Sequence, residues 1–135
     1  MIEKVILTNL ALNEEFARKV IPFLKTEYFH DQSDRTIFEL IDNYSKKYNK
    51  FPSKEALTVE LTNSDRLSEE TFKSCSQTIE SMALDDTDFD WLVDQSEKFC
   101  QDKAIYNAIM KSIQVLDDKT GKMSKGSIPS LLTDA

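Results

Sequence analysis

Glycine is nearly missing from this chain. Gly121 and Gly126 are the only two, and Pro22, Pro52 and Pro129 are the only prolines. Tight β-hairpins draw on glycine for their turns, so a sheet-rich fold with many hairpins is excluded. Cysteine is scarce too. Cys75 and Cys100 each fall inside a helical apolar pattern and read as small buried hydrophobes. No disulfide framework follows, and a reducing compartment, the cytoplasm, is expected. A single histidine leaves zinc without a ligand set. There is no basic block: 17 lysines and arginines face 24 acids, for a net charge of −7. A surface of that sign repels phosphate, so no strong direct binding to nucleic acid is expected. No apolar run approaches membrane-spanning length. Residues 1–12, with Glu3, Lys4 and Asn9, do not read as a signal peptide.

What is present is an ordinary soluble composition, 40% hydrophobic and 30% charged, in 135 residues. That is one domain, or one domain plus an appendage. The strongest pattern lies in Asp31–Lys50, DQSDRTIFELIDNYSKKYNK. Ile37, Ile41, Tyr44 and Tyr48 recur at helical spacing, with Phe38 and Leu40 beside them. Arg35, Glu39, Asp42, Lys46 and Lys47 make the expected wet face. Ser33 or Asp34 is the expected cap. This helix is the predicted post for the others.

Before it, Ile2, Val5, Ile6 and Leu10 share the face of a first helix, with Leu7 at its margin. Asn13 caps a second, with Phe16, Ala17, Val20 and Ile21 as its buried stripe. Pro22 ends or kinks that helix. A connector, Phe23–Phe29, follows. Beyond the post, Asn49–Pro52 turns the chain. Ser53 caps a fourth helix marked by Leu57 and Leu61. Residues 1–63 thus read as a compact helical unit.

The second half reads as an antiparallel helical hairpin, residues 67–118. Ser68 caps its first arm, with Leu67 and Phe72 as a hydrophobic staple. Phe72, Cys75, Ile79 and Met82 form a narrow seam. The second arm, from about Asp88 to Asp118, carries a stripe of Phe89, Leu92, Ser96, Phe99, Lys103, Tyr106, Met110 and Ile113. It is about twice as long as the first arm. Its back half, with Ile105, Ala108, Ile109, Ile113, Val115 and Leu116, is apolar on more than one face. A helix of that kind needs two neighbours. Self-association through Ile105, Tyr106, Ile109, Met110, Ile113 and Leu116 is expected. Residues 119–127, KTGKMSKGS, read as a flexible linker. Ile128, Leu131 and Leu132 then begin a new helical pattern over 128–135, with Pro129 in its first turn. The pattern stops at Ala135 without a cap, as in a fragment cut just after a linker.

No motif carries chemistry. Gly126 is followed by Ser127 and not by lysine, so the linker is not a phosphate loop. Asp86, Asp88, Asp90 and Glu97 mimic part of a calcium loop. Trp91 stands where that loop needs glycine, and the acids read as helix caps. His30 beside Asp31 has no nucleophile tied to it and reads as structural. No carboxylate pair is singled out for glycoside hydrolysis. No catalytic, cofactor-binding or metal-binding residue is assigned.

The order of residues resembles the N-terminal domain of DnaB-like replicative DNA helicases, most closely those of T-even-type phages. Glu3 with Val5, Ile6, Leu7 and Leu10, then Phe16 and Val20, carry it first. Tyr28-Phe29-His30, Arg35-Thr36-Ile37-Phe38 with Ile41, and Pro52-Ser53 with Ala56-Leu57 follow. Asp90-Trp91-Leu92-Val93, Lys103-Ala104 with Asn107-Ala108, and Ile128-Pro129 complete it. The resemblance implies a non-catalytic collar of a hexameric ring in DNA replication. Hairpins would pair between subunits, and primase would dock on the collar, with a helicase loader as a further candidate partner. The segment of Ile128, Leu131 and Leu132 would pack on the neighbouring motor domain. ATP and magnesium would belong to that motor, whose Walker lysine this chain lacks. Lys103 stands where the family usually has arginine, so a bidentate contact there is not implied. The host cytoplasm would be its place if the gene is a phage's. The rival reading is a stand-alone phage helical adaptor that binds another protein through the same hairpin. A reading frame that continues past Ala135 into a strand and a Walker loop supports the helicase reading, and a stop codon at 136 favours the adaptor.

Overall fold

Helix α3 (Gln32–Tyr48) is the post on which three of the other helices pack. The computed structural model describes residues 1–117 and residue 129. Those three are α1 (Ile2–Leu12), α4 (Lys54–Thr62) and α5 (Glu69–Ser81); α2 (Glu14–Val20) packs on α1, and the chain continues in the long α6 (Phe89–Leu116). Two short 3-10 turns, Ile21–Phe23 and Thr26–Tyr28, join α2 to α3. The fold is all-α, with six α-helices and no strand among the described residues. Two compact units divide the chain: Met1–Ser96, and a second that begins at Glu97.

Within the first unit, α3 packs on α1, α4 and α5, and α5 also packs on α4. Ile37, Phe38 and Ile41 are buried on α3, facing a core that includes Ile6, Leu7, Leu10, Phe16 and Phe29. Each such side chain stabilises the fold by roughly 2 kcal/mol. Leu7, expected at the margin of its helix, is fully buried. Leu40 and Tyr44 are only half-buried, and Tyr48 is exposed at the helix end. There the chain turns through Asn49 at φ 54°, a left-handed conformation that asparagine tolerates.

The local caps follow the sequence. Asn13 Oδ1 accepts from the Phe16 amide, Ser53 from that of Ala56 and Ser68 from that of Thr71. The cap of α3 does not. Asp31 holds the cap position without a side-chain bond, and Ser33 and Asp34 lie buried in the first turn. Asp34 is drawn inward because Lys4 of α1 supplies a cation to pair with it. Arg35, expected on the wet face, is half-buried, and its Nε donates to the Phe29 carbonyl at 2.6 Å. In the connector, Leu24, Tyr28 and Phe29 are buried while Phe23 is exposed. In α5 the seam of Cys75, Ile79 and Met82 is buried, while Phe72 stays open to solvent. His30 is exposed, and its amide donates to Glu3 Oε1 at the entrance of α3.

Candidate interaction site

The back half of α6 has no glycine or proline from Lys103 to Leu116 to break the helix. One narrow edge is covered: Ala108, Ser112 and Val115 are buried, at spacings of four and three. The Ser112 hydroxyl donates back to the Ala108 carbonyl at 2.9 Å, so its polar atom is satisfied within the helix. Beside that edge runs an open one. Ile105, Tyr106, Ile109, Met110, Ile113 and Leu116 are each 40–58% exposed. At 100° per residue they sweep about 140° of the helix surface. Six large apolar side chains on one helix form a contiguous patch of the kind that marks an interface.

Of the expected α6 stripe, Leu92, Ser96 and Phe99 are buried, and Phe89 and Lys103 are half-buried. Tyr106, Met110 and Ile113 are exposed. The Lys103 ammonium lies 5.9 Å from the Phe99 ring centre and 6.0 Å from that of Tyr106. Rings one turn before and after it attract the cation through their faces. Lys103 therefore borders the apolar patch with its ammonium held between two rings.

Burial, with the Glu97 charge beside it, pushes the Cys100 thiol up to about 11. Cys75 is also pushed up, first by burial and then by the charge of Asp34. Both thiols are free and buried. Among the described residues no group of His, Cys, Asp or Glu is placed to hold a metal ion. Asp88 Oδ2 accepts from the Trp91 amide at 2.9 Å, so this acid of the calcium-like run is a helix cap. No described helix is long and apolar enough to cross a membrane. The linker 119–127 and the docking residues Ile128, Leu131 and Leu132 lie outside the described residues. Sequence reasoning did not mark Leu84 and Trp91 as exposed apolar side chains. Their signal was the run of acids around them.

The fold and this surface define an all-α domain with an uncovered apolar helix face. No family model matches the chain. Over 140 aligned positions, 98% of its length, it is 31% identical to a DnaB-like replicative helicase of Enterobacteria phage T4. The chain spans 29% of that protein's length. It is a distant homologue of part of a DnaB-like replicative helicase.

Proposed function

We propose that this chain is the N-terminal collar domain of a phage replicative DNA helicase, of the T-even type. Its work is scaffolding: it sets ring geometry and recruits primase to an unwinding fork in the cytoplasm of a bacterial host. The observation that carries this is the open face of α6 in a chain homologous to a DnaB-like helicase. A neighbouring subunit covers Ile105, Tyr106, Ile109, Met110, Ile113 and Leu116, and burial of that surface drives assembly. The back half of α6 acts as the pairing arm, and Met1–Ser96, in which α5 packs on α3 and α4, acts as the outer unit of the collar. Ile128, Leu131 and Leu132 anchor the domain to the next motor. ATP, magnesium and strand separation belong to that motor and not to this chain.

The test is co-sedimentation with the primase of the same phage. Primase is expected to travel with the chain, and Ile109→Asp is expected to lower self-association without loss of helicity. A chain that ignores primase, yet captures a different phage protein through the α6 face, is the adaptor of the rival reading.

A further inference from the structure

We propose that the cleft between the α1–α2 corner and the turn from α3 into α4 binds a segment of another protein in which a large apolar residue stands beside a carboxylate. The cleft measures about 490 Å³, within the range of roughly 300–1,000 Å³ usual for ligand sites. It lies inside one unit of the chain, Met1–Ser96, and draws on no residue of the α6 back half. Leu10, Leu12, Phe51 and Pro52 give it apolar walls. Leu10 and Pro52 are buried, and Leu12 and Phe51 are half-buried, so the fold itself sets these walls.

The polar groups that border the cleft are mostly donors without acceptors. Arg18 is held from two sides: its Nη2 donates to Glu14 Oε1 at 2.9 Å, and its guanidinium carbon lies 5.4 Å from the centre of the Phe51 ring. That bond uses one of a guanidinium's five N–H donors. The others have no protein acceptor among the described residues. The Lys50 ammonium forms no ion pair or hydrogen bond among the described residues. The backbone adds to this supply. The Asn49 amide closes α3 on the Ser45 carbonyl, but the amides of Lys50 and Phe51 donate to nothing among the described residues. Glu14 is the one acid on the lining, and it is engaged by Arg18.

Charge and shape together choose the occupant. A fixed guanidinium with spare donors, beside a free ammonium, calls for a carboxylate or a phosphate. The apolar walls call for a side chain next to it. The wider field decides between the two anions. At physiological salt a charge acts over about 8 Å, so a single carboxylate feels its surroundings only. Those are positive: spaced out rather than in a block, four lysines and no acid lie in residues 43–54. A polyanion reaches further, across a chain of net charge −7, and is repelled. Glu14, Arg18, Asn49, Lys50 and Ser53 are all exposed, so the cleft is open and admits a length of chain.

Amide-resolved NMR of the isotope-labelled full chain, at physiological salt, tests this with three capped hexapeptides. One alternates phenylalanine and aspartate; the second has asparagine for aspartate, and the third has alanine for phenylalanine. The phenylalanine–aspartate peptide is expected to shift the amides of Leu12, Arg18, Lys50 and Phe51 and to saturate. The other two are expected to bind about tenfold more weakly. Arg18→Gln is expected to weaken binding about tenfold and Lys50→Ala about threefold. Glu14→Gln removes the acid that competes for Arg18 and is expected to tighten binding about twofold. Ile109→Asp is expected to leave binding unchanged, which separates the cleft from the α6 face. The same spectra show that each variant folds. No saturable shift of these amides by the phenylalanine–aspartate peptide overturns the proposal. So does equal binding of the asparagine peptide, or binding that ignores both Arg18→Gln and Lys50→Ala. Tighter binding of oligothymidylate at these amides gives the cleft to nucleic acid, equal binding of phenylacetate gives it to a free organic acid, and loss of self-association in Lys50→Ala gives it to a second copy; each of these also overturns the proposal.

Discussion

Lys4 and Asp34 are 30 positions apart and meet across α1 and α3. The Asp34 side chain is 2% exposed, while Lys4 is half in water. A carboxylate so placed depends on its partner, because an unpaired buried charge is costly. Lys4→Met is therefore expected to lower stability by about 2 kcal/mol in urea unfolding. Adding Asp34→Leu to Lys4→Met is expected to recover part of that loss, since it removes the stranded charge. Cys100 gives a second residue-scale expectation. Its folded pKa of about 11 lies above the ordinary 9.0. The folded state thus favours the protonated thiol. The stabilisation is complete below pH 9 and is lost as pH rises from 9 towards 11. A thiol reagent at pH 8 is expected to label Cys75 and Cys100 slowly in the native chain and quickly in denaturant.

The helices show which parts of a fold are written locally. Asn13, Ser53 and Ser68 each cap within three residues of themselves, so their roles were legible from short stretches. Replacing any one by alanine is expected to cost about 1 kcal/mol, measurable by urea or thermal unfolding. The start of α3 was not legible. Ser33 and Asp34 have the chemistry of caps, yet the partner that recruits Asp34 lies on another helix, which no local window contains. Arg35 was misplaced for the same reason: its guanidinium bonds the Phe29 carbonyl, a contact made by the path of the connector. In α6 the sequence marked an apolar surplus. It placed Tyr106, Met110 and Ile113 on the stripe that pairs with the first arm of the hairpin, and these three are exposed. The structure buries Ala108, Ser112 and Val115 and leaves the larger neighbours open.

At the scale of the molecule, the open edge of α6 is the feature that asks for a partner. A helix that keeps six large apolar side chains in water incurs a solvation cost that association removes. The proposed collar role supplies a setting in which neighbouring copies lie side by side. The charge of the chain fits that proposal: an acidic domain keeps clear of DNA phosphates.

Sedimentation equilibrium over a wide concentration range is the most direct measurement. Shielding of the α6 face by a second copy predicts a weight-average mass that climbs above the 15.6 kDa of one chain as concentration rises, and a return to 15.6 kDa for Ile109→Asp. A native chain that stays at 15.6 kDa throughout, or a variant that sediments as the native chain does, contradicts it.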